Sequence, residues 1–253
     1  EWLFLYLQIM NKHFTLLFAY LLFATSISHA QSTTGTRGIV KAPTARMFED
    51  GTLAIGAAFI PPGYFKQTFR YSGKPSPNAG LNTFITLNFF PRLEIMFRYT
   101  HELNMQVNPL IQYFPDRMVS LRWKLFEENE HIPDLTIGMQ DITAAFDLSC
   151  ERCSYFSSLY IVGTKKFNFK GTNIDASLGY GTGISKLKAK EFNGIFGGIE
   201  ISNPLVQNSE ILIDYDSEYI NLGLQKLFFK RIHTMISYYP NYQKVGWVLA
   251  YRY

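Results

Sequence analysis

The chain has 253 residues, 47% of them hydrophobic and 16% aromatic, with 24 Lys or Arg against 20 Asp or Glu and a formal net charge of +4. That is chain enough for one sizeable domain, and its basic residues are scattered, with no basic stripe interleaved with aromatics, which excludes a nucleic-acid partner. A mean hydropathy of -0.03 combined with so many rings suits a barrel in lipid, whose strands turn half their residues to a polar lumen; an aromatic-rich soluble β-sandwich has the same composition.

The first 30 residues set the compartment. Met10-Asn11-Lys12-His13 is a short basic region, Phe14 to Ile27 is apolar, and Ser28-His29-Ala30 supplies small residues for cleavage before Gln31. The apolar core is too short for a spanning helix of about 20 residues. Residues 1–30 are therefore expected to be a cleaved leader, with Glu1–Ile9 an over-extended start ahead of Met10. A signal anchor that also used Trp2 to Ile9 would place Lys12 and His13 inside the apolar run, at a cost. Gln31 and Ser32 follow the predicted cleavage site, where a lipoprotein would carry Cys. No further apolar run of spanning length follows, so a membrane protein built from this chain has to be a closed barrel.

Residues 31–51 form an N-terminal segment. Gln31 to Arg37 is rich in Ser, Thr and Gly and is expected to be a flexible lead-in. Gly38 to Gly51 carries Pro43, two basic residues and the turn pair Asp50-Gly51. Period-two alternation then begins and runs to the end of the chain. Leu53, Ile55, Ala57 and Phe59 share one parity, and Pro61-Pro62-Gly63 stops that strand. Ser72 to Gly80 is loop, and Leu81 to Phe90 is a strand that meets Leu93, Ile95, Phe97 and Tyr99 across a Pro91-Arg92 turn. Val119, Leu121, Trp123 and Leu125 alternate with Ser120, Arg122 and Lys124. Glu127 to Asp134 is a polar turn before Leu135, Ile137 and Met139. Further strands are expected at Tyr155–Phe167, Ile174–Tyr180, Ile195–Ile201, Ile211–Asp216, Ile220–Gln225, Ile232–Tyr239 and Val245–Tyr253. About twelve such strands over residues 52–253 predict an all-β, antiparallel transmembrane β-barrel. Trp247, Leu249, Tyr251 and Tyr253 alternate to the last residue, the terminal pattern that barrel-assembly machinery reads.

The polar parity carries Glu94, Arg98, Arg122, Lys124, Asp175, Asp214 and Asp216. These are candidates to face the lumen, either lining a conduit for a charged sugar polymer or filling the interior with salt bridges. Pro43, Thr44, Ala45, Arg46 and Met47 fit two placements: a plug entering the lumen, with Arg46 paired to lumen carboxylates, or an N-terminal clasp closing one barrel end. The clasp, using Pro43, Thr44 and Arg46, is the expected one.

Cys150 and Cys153 lack the second pair or nearby His that zinc requires, and they lack the strand-to-helix setting of a redox motif. A small loop-stapling disulfide is expected in an oxidising compartment. Glu127, Glu128, Glu130, His131 and Asp134 sit on a turn without a cleft to hold a sugar, so a solvated turn is expected rather than glycosidase carboxylates. Gly179, Gly181 and Gly183 repeat at period two within a strand and predict close packing or a bend, not a phosphate loop. No catalytic residue, metal site or cofactor is expected.

Several segments together resemble the YjbH family of exopolysaccharide-biosynthesis outer-membrane proteins. They are TTGTRGIVKAPTARMFEDGTLAIG, LEIMFRYT, RMVSLRWKLFEENEHIPDLTIGMQD and FGGIE, in that order. The Pro43–Met47 core, Asp50-Gly51-Thr52-Leu53 and the EENEHIPDLTIGMQD block carry the specificity. The Cys150–Cys153 insertion departs from the family pattern, and family members often extend past the first barrel. The resemblance implies a non-enzymatic barrel of the bacterial outer membrane, linked to exopolysaccharide export or surface assembly, and no catalytic residues to carry over. Its expected partners are outer-membrane lipid, the barrel-assembly machinery, and a polysaccharide or other envelope proteins. A structural subunit or anchor of a larger complex and a small-solute pore are the alternatives.

Overall fold

The computed structural model describes residues 30–66, 74–104, 116–145, 155–184, 191–203 and 208–253. The predicted leader up to residue 29 and the Cys150–Cys153 pair lie outside the described residues. Twelve strands follow in chain order: β1 (Thr52–Ile60), β2 (Gly80–Phe90), β3 (Leu93–Glu102), β4 (Asp116–Phe126), β5 (Asp134–Gln140), β6 (Ser158–Phe169), β7 (Thr172–Gly183), β8 (Gly194–Ser202), β9 (Ser209–Tyr215), β10 (Ile220–Phe228), β11 (Ile232–Tyr239) and β12 (Lys244–Arg252). A single helical turn, α1 (Ile142–Ala145), follows β5. Each strand pairs antiparallel with its chain neighbours, and β12 returns to β1 to close the barrel. The closing seam runs from Ala54 opposite Arg252 to Phe59 opposite Trp247, and the last two rings stack with centroids 6.2 Å apart.

The alternation read from the sequence resolves into an inverted wall. The apolar parity points outward: Leu178, Leu224, Ile195 and Ile236 are each more than 60% exposed. The polar parity points inward: Glu94, Arg98, Arg122, Thr136, Thr164, Asp214, Gln225 and His233 are all buried. A water-soluble sandwich buries the opposite set, because burying apolar surface is what stabilises it. An outer wall of Leu and Ile with a charged interior is the arrangement a hydrocarbon solvent favours.

The connections separate into two classes by end. At the end carrying the start of β1 and the end of β12, the links are residues 91–92, 127–133, 170–171, 203–208 and 229–231. At the other end they are 61–79, 103–115, 141–157 and 184–193, with two four-residue links at 216–219 and 240–243, so the longest links of the barrel all lie there. The loop expected at Ser72 to Gly80 falls at this second end. Two short turns use left-handed backbone, at Lys170-Gly171 and Phe229-Lys230, matching the twist of the strands they join. Around the short-turn end Phe90, Phe126, Phe169, Phe229 and Tyr253 stand exposed. Toward the other end the exposed rings are Tyr99, Tyr180, Tyr215, Tyr238 and Trp247. Two aromatic belts result.

Two local expectations change. Tyr155 and Phe156 precede β6 instead of opening it; they are buried and packed edge to face, centroids 5.3 Å apart. That strand also runs two residues past the expected Phe167, to Phe169. The Gly179 expectation of close packing has a specific partner: a β-carbon there would fall 2.3 Å from the Phe196 ring.

The larger correction concerns residues 30–48. The expected flexible lead-in is buried, with Gln31, Ser32, Thr33, Thr34, Thr36 and Arg37 all below 5% exposure. It doubles back through a bridge between Gln31 and Arg37, then again through one between Gly38 and Pro43. Gly35 makes the first reversal at φ +98, and a β-carbon on it would lie 2.7 Å from the Phe84 ring. Replacing Gly35 by Val combines left-handed strain with overpacking, a cost of about 1–3 kcal/mol each. The turn should leave its seat, exposing Arg37 to trypsin while heat-modifiable gel migration of the barrel persists. Undiminished protection of Arg37 would contradict the buried turn.

Candidate functional site

The site is the lumen and the plug of residues 30–48 inside it. The plug satisfies part of its backbone internally, as in Thr33 N to Val40 O at 2.8 Å and Ile39 N to Ala42 O at 2.9 Å, and the wall takes up more of it. Asp214 on β9 accepts from three consecutive amides, Val40 N at 2.9 Å, Lys41 N at 2.7 Å and Ala42 N at 2.7 Å. Its second oxygen accepts from Asn221 at 2.7 Å. Ala45 N donates to Thr164 Oγ1 at 2.7 Å, and Thr136 Oγ1 donates to Ala45 O at 2.8 Å. Arg122 on β4 reaches the other carbonyls: Arg37 O at 2.9 Å, Arg46 O at 3.0 Å and Thr44 O. The same guanidinium pairs with Glu94 at 2.8 Å.

Side chains of the plug complete the lock. Near the short-turn end, Arg46 meets Glu128 at 2.5 Å, Asp134 at 2.7 Å and Asp175 at 2.7 Å. Those carboxylates come from the turn after β4, the first residue of β5 and the start of β7. Burial disfavours the charged Arg46, but Asp175, Glu128 and Asp134 outweigh it and raise its pKa. Toward the long-loop end, Lys41 meets Asp216 at 2.9 Å and Glu191 at 3.2 Å. Tyr64 donates to Asp216 at 2.6 Å. Burial lowers the Lys41 ammonium, yet Asp216, with Tyr155 and Glu191, holds it well above its ordinary 10.5. Burial raises the Asp216 carboxyl, yet Lys41 and Tyr64 bring it below 3.8.

What remains of the lumen is packed. Tyr160, Phe192 and Phe196 form one cluster with Ala42 and Ala45 of the plug. Tyr64 stacks on Tyr239 with centroids 3.9 Å apart. A cavity between Thr33, Thr34, Lys41, Asn82 and Arg98 measures about 20 Å³, room for one water. Among the described residues the interior is filled by residues 30–48 and inward side chains, which is the filled-lumen alternative of the two read from the sequence.

The seven lumen candidates all stand on the inner parity. Glu94 and Arg122 pair with each other. Lys124 lies 3.6 Å from Asp134, and Asp175 is one of the three partners of Arg46. Arg98 approaches Thr34 O at 3.4 Å and lies over the Phe156 ring. Pro43, Thr44 and Arg46, expected as a clasp at one end, run through the lumen instead. Pro43 and Thr44 are buried, and only Arg46 reaches the short-turn rim. The physical reason is the number of wall donors and acceptors waiting inside for a backbone. Trp247, Leu249, Tyr251 and Tyr253 lie on the outer face of the closing strand. Lys41, Glu191 and Thr164 went unrecognised in the sequence, because their partners lie 119 to 175 residues away or across a loop.

Removing Arg46 from this partly buried ionic cluster leaves three carboxylates without their shared cation, at about 1–3 kcal/mol. Arg46→Ala should therefore lower the urea midpoint of the folded barrel markedly, and Arg46→Lys should recover only part of the loss. Equal midpoints for Arg46→Ala and the parent would deny the plug its anchor. The Asp216 tie has a pH signature. A carboxyl with a depressed folded pKa contributes stability above its unfolded value and loses it as pH falls through the folded one. The gap in thermal stability between the parent chain and Asp216→Asn should be full near neutrality and shrink below pH 3.8. A gap that stays constant down to about pH 2 would refute the assigned pairing.

Residues 30–201, more than half of the chain, match the family described as exopolysaccharide biosynthesis protein YbjH, or YjbH. A relative from Escherichia coli (strain K12), named uncharacterized lipoprotein YjbH, is 25% identical over 202 residues. That alignment covers 78% of this chain and 23% of the relative, so the chain spans less than a quarter of that protein's length. The family match takes in the whole plug and the strands from β1 to β8, which supply most of its wall contacts, and on that match the chain belongs to the YjbH family.

Proposed function

We propose that this chain is a non-enzymatic barrel of the bacterial outer membrane that serves exopolysaccharide export or surface assembly without acting as an open channel. The observation that carries the reading is the lumen filled by residues 30–48. The membrane setting is supported by the apolar outer wall, the two aromatic belts and the segregation of short turns from long loops. The polysaccharide link rests on the family. A barrel sealed by its own chain acts through what its rims and outer wall hold, which favours the export-factor and subunit readings over the small-solute pore.

In planar bilayers the chain should be electrically silent, and a variant lacking residues 31–48 should show discrete conductance steps. Deleting the gene should reduce surface polysaccharide without changing uptake of small solutes. Porin-like conductance from the intact chain would overturn the sealed-barrel reading; unchanged surface polysaccharide would overturn the family role.

A further inference from the structure

The outer wall is apolar on almost every strand, so each charge on it marks a place where lipid is not the only neighbour. Among the described strand residues of outward parity, the lysines are Lys165 on β6 and Lys226 on β10. Lys165 is satisfied by protein: it donates to Asn129 O, to Glu130 O at 3.2 Å, and pairs with Glu128 at 3.3 Å. Lys226 has no carboxylate within salt-bridge distance among the described residues, and its ammonium lies 5.5 Å from the Phe228 ring.

The surroundings of Lys226 are ordered by register. Ser209 and Thr234 sit directly opposite it on β9 and β11. One step toward the barrel middle, Ile211, Leu224, Ile236 and Trp247 form an apolar row. One step toward the rim lie Phe228, Ile232 and Tyr251. The following turn adds Lys230 and Arg231, both exposed, with Arg231 donating to Tyr251 Oη at 3.0 Å. One hairpin thus presents three cations, bordered by rings, at the short-turn edge of a hydrocarbon-facing wall. A lone outward lysine is tolerated near the interface, where its cost falls to about 0–1 kcal/mol, and cations at that depth attract anionic headgroups.

We propose that the β10–β11 hairpin binds the phosphate of an anionic glycerophospholipid in the leaflet at the short-turn end. Lys226, Lys230 and Arg231 hold the phosphate, and the Ile211–Leu224–Ile236 row receives the acyl chains. The short-turn position fixes the leaflet, since short turns of such barrels face the periplasm, where the headgroup is a phospholipid and not lipopolysaccharide. This inference rests on the membrane reading above, and the test separates the two.

The full chain is first inserted into vesicles of phosphatidylcholine alone, with heat-modifiable migration as the readout; failure to insert sinks the membrane reading. It is then placed in nanodiscs of equal phosphatidylethanolamine and phosphatidylglycerol, released, and the retained lipids counted by native mass spectrometry. The parent should retain phosphatidylglycerol in preference, and the preference should fall about fivefold for each cation removed in Lys226→Gln, Lys230→Gln and Arg231→Gln. Arg117→Gln, on the outward parity of β4 at the opposite end, should retain it in full. Equal retention of both lipids by the inserted parent overturns the proposal, as does a preference that survives the triple substitution. Preferential retention of lipopolysaccharide in a parallel nanodisc, lost in the triple variant, would overturn the leaflet assignment.

Discussion

Arg122 organises the interior because it cannot be left alone. A guanidinium buried to 1% exposure needs acceptors, and one carboxylate from Glu94 satisfies only part of its donor fork. The carbonyls of Arg37, Thr44 and Arg46 accept three more of its N–H groups. Asp214 poses the mirror problem. It is a buried acceptor that draws three amides of the plug onto one oxygen. Wall and plug are therefore each incomplete without the other. An empty lumen would leave charges to water, and a free plug would leave its backbone to solvent, so the two settle as one polar core.

That core differs in kind from the core of a soluble domain. Its apolar content is modest and clustered, as in Tyr160 with Phe192 and Phe196, while most of its order comes from directional bonds. Such bonds specify position more sharply than they stabilise, because each also costs desolvation. The plug is continuous with β1 through Glu49–Gly51, and β1 closes the sheet against β12. Its local concentration in the lumen is consequently high, and a modest net gain suffices to keep it seated.

The wall was legible in the sequence because period two survives in any strand with two different environments. Residues such as Val119, Leu121 and Trp123 against Ser120, Arg122 and Lys124 announce both faces at once, and all twelve strands were found this way. The direction of the faces rested on the expected leader and the terminal Trp247–Tyr253 pattern as well. The plug was illegible for a physical reason. Its contacts are made by backbone amides and carbonyls, which leave no trace in side-chain identity, and by partners as distant as Lys41 and Asp216. Arg46 was the exception: a single charged side chain in an otherwise small-residue run, for which lumen carboxylates were already the natural partners. Tyr155 and Phe156 misled because aromatic residues favour strands; here they leave the sheet to pack inside the long-loop end.

The two faces are tied together by register. A slip of one residue in β10 would turn Lys226 into the lumen and Gln225 out to the apolar side. Gln225 now donates to Glu210, and His233 Nε2 lies between Gln225 Oε1 at 2.7 Å and Gln31 N at 3.3 Å. The slip would turn those polar groups onto the apolar outer face and remove one seat of the plug in the same move. Interior satisfaction and outer-wall chemistry thus select the same pairing, so the rim cations and the buried plug are set by one alignment of strands.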